Sequence, residues 1–497
     1  MSKKLLLILI TITSTFSLNA QNSSALFGSL RARQIGPAAM SGRVSSIAVA
    51  PGKPEVIYVG AAGGGVWKSN SGGTTFRPVF DEHTMSIGKV VVDPNDTETI
   101  WAGTGEQWVR NSVSLGDGVY KSTNGGTRWE HMGLERTERI SDLIVHPENS
   151  DVVFVAALGH LWNANEERGL FKTTDGGKTW RKVLYVDEDT GCTDLTIDPE
   201  NPDIMYAAMW SHRRLPWTFD SGFTGGSGLY KTTDGGETWS KVTGGGLPTG
   251  KLGRLAIEIA PSNRNVIYLT VECEDEDKNG LYLSTDAGET WELVNNEFNT
   301  TVRPFYFAHL KVDPKNDSIV MKCGLQAIIS EDRGERFRPT DQSVHSDVHD
   351  IWFDPQNGKH ILLATDGGVY ESFDRGYTYR MFMNLPISQF YRVSVDNDIP
   401  YNVYGGLQDN GCWYAPSQKA GGITNSDWKS SLGGDGFWSF RHPTKEDVVF
   451  SESQGGNLAR YSKKTGVAKN IRPYPDADED EFRFNWNAPV HLSPNNP

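Results

Sequence analysis

The chain has 497 residues and a formal net charge of -14, from 48 basic and 62 acidic side chains. That balance offers no footprint for a polyanion, which excludes nucleic acid as an expected partner. The 53 glycines, 15 tryptophans and 17 tyrosines favour tight turns and aromatic-packed sheets over helices.

In chain order, "MSKKLLLILITITSTFSLNAQN" has Lys3 and Lys4 before an apolar run and small-residue chemistry ending at Ala20, the layout of a cleaved secretory signal over residues 1–20. The run is shorter than the roughly 20 residues of a membrane span. The mature chain is expected to be soluble rather than transmembrane, and secreted or periplasmic. Cys192, Cys273, Cys323 and Cys412 lie far apart with no C-x-x-C pair; an oxidising compartment allows disulfides, and three pairings remain open.

Repetition then dominates. Segments such as "IAVAPGKPEVIYVG", "VVVDPNDTETIWAG", "LTIDPENPDIMYAA" and "IWFDPQNGKHILLA" each read as a strand, a Pro/Asn/Asp turn and a second strand. A third strand of the "GLFKT" type follows, then a turn, then a fourth strand. The turn recurs as "SNSGGTTF" from Ser69, "STNGGTRW" from Ser122, "TTDGGKTW" from Thr173, "TTDGGETW" from Thr232, "STDAGETW" from Ser284, "SEDRGERF" from Ser330 and "SFDRGYTY" from Ser372. Successive starts are 53, 51, 59, 52, 46 and 42 residues apart, which fits one four-stranded propeller blade each. Its aspartate becomes Ser71 and Asn124 in the first two copies, as a turn-capping group can and a catalytic carboxylate cannot. Three further blade starts follow from Phe390, from Phe437 and at "APVHLSPNNP", the last without its remaining strands, which leads us to expect part of a longer polypeptide.

These S/T-x-D-x-G-x-x-W turns in four-stranded modules resemble the Asp-box, or BNR-repeat, β-propellers of the sortilin type, a class of secreted proteins that also includes xyloglucanases and sialidases. The stretches "HDIWFDPQNGKHILLATDGGVYESFDRG", "LPISQFYRVSVDNDIPYNVYGGLQDNGCW" and "SESQGGNLARY" are similar to bacterial exported sortilin-type repeat proteins, often described as glycosyl hydrolases. The resemblance implies an all-β fold: seven Asp-box blades over 21–385, then modules over 386–497 that begin a second propeller or, alternatively, close one ten-bladed ring. It also weighs on activity. Where xyloglucanases carry an aspartate in a "TDVGGAY"-like loop of the first blade, this chain has "AAGGGVW" with Ala62; a second, "GDIGGF"-like motif is matched only in part by "GGDGFW" through Asp435. The sialidase "RIP" entry motif is absent from the sequence.

Propeller geometry puts the links between second and third strands, and between blades, on the face opposite the Asp-boxes. The long loops there carry Trp108, Trp162, Trp210, Trp217 and Trp413, aromatics suited to the C–H face of a sugar or to an extended peptide. In "HSDVHD" an extended segment would place His345, Asp347 and His349 on one face beside Asp350, chemistry for substrate contact or for a divalent metal. Three ligands from one strand are geometrically awkward, so neither metal nor cofactor is expected. Asp366, Gln408, Asp409, Asn410, Asp435 and Trp438 belong to the same face. The expected function is recognition of an extracellular glycan or peptide there. The alternative is a glycoside hydrolase using paired carboxylates, about 5 Å apart for retention or roughly 6.5–9.5 Å for inversion, with Asp347 and Asp435 as the candidate catalytic pair.

Overall fold

The computed structural model describes residues 32–493 and 495, apart from 111, 112 and 223. The expected signal at 1–20 lies outside the described residues. Gly36–Pro497 forms one compact unit. Among the described residues nine antiparallel sheets follow one another, each of four strands, the fourth sheet carrying an additional short strand at Phe219–Ser221.

Four of the turns between first and second strands, at Asp93, Asp198, Asp313 and Asp354, have an aspartate that folds back on the backbone. Asp93 accepts from Asn95 N at 2.8 Å, Asp198 from Glu200 N at 2.9 Å and Asp354 from Gln356 N at 2.7 Å, the Asx-turn chemistry of the D-P motifs.

Seven sheets close a ring. The first strand of the seventh, Val348–Asp354, packs directly on the first strand of the first, Val44–Ala50. Val44, Ile47 and Val59 share one apolar cluster with Leu362, Ala364 and Val369. The closing contact repeats the chemistry of internal ones: Asp350 accepts from Ile47 N at 2.9 Å, as Asp142 does from Leu195 N at 3.2 Å and Asp194 from Ile257 N at 2.9 Å. The alternative of a single ten-bladed ring therefore does not hold, because the seventh sheet meets the first. The eighth and ninth sheets pack on each other, strand Asn402–Leu407 against Gly436–Arg441. Gly436 lies there against the backbone of Gly406 and Gly411, leaving no room for a Cβ, so its glycine serves sheet packing. Among the described residues no strand follows Asn470, and the tenth start forms none. No helix of the described residues is long and apolar enough to cross a membrane. The four cysteines are buried and unlinked.

The repeated turn caps itself. Thr173 Oγ1 accepts from Gly177 N at 3.0 Å, while Asp175 accepts from Thr179 N at 2.9 Å and from Thr179 Oγ1 at 2.6 Å. Those bonds, the threonine hydroxyl's first, hold the Asp175 carboxyl down at about 2. Ser71 and Asn124 accept the equivalent backbone N–H groups, from Thr75 at 3.0 Å and Arg128 at 2.8 Å, so the turn survives loss of the charge. Gly177 has φ +95° and would place a Cβ 2.7 Å from the Trp101 ring, which fixes glycine here. Thr173→Ala, which orphans the buried Gly177 N–H, is expected to cost about 1–3 kcal/mol in urea unfolding. Asp175→Asn should cost less at pH 7, since Asn124 already does this work in the second blade.

Candidate functional site

One of the long loops is packed down on the ring, whereas Trp217 on another is 81% exposed. Over the link from second to third strand of the second sheet, three consecutive side chains reach three other sheets. Glu106 bonds Arg43 of the first at 3.0 Å, and Gln107 lies 3.2 Å from His309 of the sixth. Trp108 packs on His349 of the seventh, ring centroids 4.0 Å apart, and on Tyr306. This loop closes over that end of the ring, and Trp108 is buried beneath it. Trp108 is therefore corrected from a ligand-facing aromatic to a packing one. Asp350 is corrected likewise: it is buried and holds the backbone of the first sheet.

Beside the closed loop sits a charged centre built on Arg43, which lies fully buried just before the first strand. Its Nε and Nη2 bind Asp366 at 2.7 and 3.0 Å, and Nη2 also reaches Asp409 at 3.0 Å. Asp366 comes from the link between strands Asn357–Thr365 and Gly368–Ser372; Asp409 comes from the corresponding turn of the eighth sheet, before strand Gly411–Pro416. Asp366 further accepts from Tyr306 Oη at 2.7 Å and meets His349 Nε2 at 2.7 Å. Arg110 pairs with Glu106 at 2.9 Å. Gln408, its amide oxygen turned inward, accepts from Arg43 Nη2 at 2.9 Å and Arg110 Nη1 at 2.5 Å.

The expected trio converges on this centre, but not as one flat face. Asp347 has a left-handed φ of 65°, and a bulge follows between Val348 and Asp350, so simple alternation fails. His349 ends up buried against Asp366. His345 Nε2 lies 3.2 Å from the Asp409 carbonyl, and Asp347 brings a carboxyl oxygen within 4.8 Å of one each from Asp366 and Asp409. Asp409 is also left-handed, at φ 60°, so both Asp347 and Asp409 sit on strained backbone.

Two guanidinium groups thus meet four carboxyl groups: Glu106, Asp347, Asp366 and Asp409. The surplus decides who is charged. Burial acts to raise Asp366, but Arg43 and His349 outweigh it and hold this carboxyl well below its usual range. Burial, then the Asp366 charge, pushes Asp409 up to about 8; the same causes push Asp347 up to about 6. Burial keeps His349 neutral by lowering it. Asp409 retains 23% side-chain exposure, which opens the centre to solvent.

Asp435 stands behind Asp409. One oxygen accepts from Asp409 N at 2.7 Å and the other from Trp486 Nε1 at 3.1 Å. Both oxygens of this expected catalytic candidate are thus engaged in holding neighbouring groups. Asn410 braces the turn by donating to the carbonyls of Asp366 and Gln408, at 3.1 and 2.9 Å, and accepts from Trp413 Nε1 on its own carbonyl at 2.6 Å. Trp438 lies under Arg392 and lines a different hollow of about 350 Å³ with Val393 and Val490. Trp162 is exposed on the third sheet's loop. Sequence reasoning missed Arg43, Glu106, Arg110, Tyr306 and Trp486.

The Sortilin-Vps10 family model (Sortilin, neurotensin receptor 3) matches residues 117–245. A xyloglucanase of Acetivibrio thermocellus is 24% identical over 315 residues, 55% of this chain and 34% of that protein. One of Hypocrea jecorina is 25% identical over 231 residues, 39% of this chain and 25% of that protein. The chain thus spans about a third or less of the length of the curated relatives it matches. Among solved structures, a Niastella koreensis GH74 enzyme superposes with a TM-score of 0.54 at 15% identity, covering 89% of this chain and 74% of that one. PorZ, a surface component of the Porphyromonas gingivalis type-IX secretion system, gives 0.50 at 12% identity, covering 88% and 52%. With nine four-stranded sheets among the described residues, seven of them in a closed ring, the chain folds as a β-propeller, the fold that the GH74 enzyme superposition also shows.

Proposed function

We propose that this chain is an exported, carbohydrate-directed propeller that engages a glycan at the junction of its first, seventh and eighth sheets, with Asp347 and Asp409 touching the sugar. The surplus of carboxyl groups around Arg43 carries the reading. Carboxyl oxygens turned toward an opening suit the hydroxyls of a pyranose ring, and their excess repels uronate or sulfated sugars, so the glycan is neutral. The xyloglucanase relatives support the substrate class.

A second reading, hydrolysis, is favoured by the split between the two carboxyl groups. Asp409, at about 8, holds a proton at neutral pH that it could give to a glycosidic oxygen; Asp347, at about 6, is then the ionised partner. Their close approach fits a retaining pair better than an inverting one. A panel of neutral and acidic oligosaccharides, measured for binding by calorimetry and for reducing-end release, tests both. Binding of a neutral member, weakened about tenfold or more by Asp347→Asn and by Asp409→Asn, is the expected result. Binding of acidic members alone, or of none, overturns the proposal; binding without product overturns the hydrolytic reading only.

A further inference from the structure

Trp486 belongs to the strandless segment after Asn470, where an apolar side chain gains nothing from exposure, yet 62% of it is open to solvent. It is nonetheless fixed at two points. Its Nε1–H donates to Asp435 at 3.1 Å, and its carbonyl accepts from Gly455 N at 3.0 Å. Two residues on, Ala488 is buried and donates its N–H to Glu452 at 3.4 Å. The other oxygen of Asp435 accepts from Asp409 N at 2.7 Å, so one carboxylate holds both the indole and the backbone of the acidic centre. Tyr391, 39% exposed, lies nearby, stacked on Phe437 at 4.4 Å, with its phenol raised by burial and by the charges of Asp435 and Asp409. An exposed, immobilised indole beside hydrogen-bonding carboxyl groups is what a pyranose needs: a flat apolar surface for its C–H face and acceptors for its hydroxyls.

We infer that Trp486 is a stacking platform for a sugar ring adjoining the one held by Asp347 and Asp409, and that Asp435 is the positioning residue that sets the tilt of its indole. This rests on the carbohydrate reading above and adds a binding position to it. Ordering the ring before the ligand arrives removes part of the entropy cost of binding.

The test uses the full chain with cellohexaose and a xyloglucan nonasaccharide as probes, followed by calorimetry and by tryptophan emission. The unmodified protein should bind at least one probe with a change in emission. Trp486→Ala should weaken binding about tenfold, while Trp486→Phe, which keeps a flat ring, should bind within about threefold but lose most of the emission change. Asp435→Asn, which retains acceptor oxygen, should bind better than Asp435→Ala, and circular dichroism should show every variant folded. Unaltered affinity in Trp486→Ala overturns the platform and leaves the carbohydrate reading standing. An unchanged emission response in Trp486→Phe overturns it too, because the signal then arises elsewhere. If neither probe binds the unmodified protein, the platform as stated here falls, and the panel above decides whether the carbohydrate reading falls with it.

Discussion

Replacing Arg43 by methionine is expected to destabilise the ring by about 3–5 kcal/mol at pH 7, because it leaves buried carboxylates without their cation. Arg43 serves two of them, Asp366 and Glu106, and also the carboxyl of Asp409, and each contact is 3.0 Å or shorter. Methionine fills the volume but answers none of those oxygens. Arg43→Lys should rescue little, since one ammonium cannot reproduce a planar fork bound bidentately to Asp366 while also reaching Glu106 and Asp409. The loss should shrink on acidification. Without Arg43, Asp366 loses the charge that holds it below its usual range and burial raises it, as burial already raises Asp409, so the folded state holds protons that the unfolded chain has released, and stability falls as pH rises. Urea unfolding at pH 5 and pH 7 checks this: the gap between variant and unmodified protein narrows at pH 5. A gap that widens there, or a cost under about 1 kcal/mol, would show that Arg43 is not what holds the centre together.

The architecture was legible in the sequence because it repeats. Seven blades write the same proline-containing turn and the same capped box, and Ser71 and Asn124 already marked the box aspartate as structural. The site was legible only as a list of polar residues. Asp347, Asp366 and Asp409 were on it, yet 19 and 43 positions separate neighbours in that list, and only ring closure by the seventh sheet sets Asp366 against Arg43, 323 residues away. Two failures have local causes. Alternation in "HSDVHD" breaks at the left-handed Asp347 and the bulge after it, which sends His349 inward. Trp108, in a long loop, reads as exposed, but a loop that crosses the end of a channel buries what a loop at a rim would display. Asp435 contacts the backbone of Asp409 and has both its oxygens engaged, and nothing in "GGDGFW" foretells that Trp486 occupies one of them.

Asp409→Asn is expected to make the protein more stable above neutral pH while it removes binding. The folded chain pushes Asp409 up to about 8, far above the carboxyl's ordinary value of 3.8, chiefly by burial and then by the Asp366 charge. Between those two values the folded state keeps the proton and the unfolded chain does not. The unmodified protein therefore loses stability from this group as pH climbs from about 4 to 8, and above that range the full cost of a buried, repelled carboxylate remains. Asparagine carries no charge at any of these pH values, and its amide oxygen can still accept from Arg43. The variant should match the unmodified protein near pH 4 and exceed it by about 1–2 kcal/mol at pH 8 in urea unfolding. A variant that is less stable at pH 8 would mean that the Arg43 pair outweighs the repulsion, and Asp409 would then be a structural partner like Asp366. The expected sign means something else: the fold keeps, at a stability cost, a protonatable carboxyl on strained backbone at an opening. Scaffold needs no such group, whereas a sugar hydroxyl or a glycosidic oxygen does.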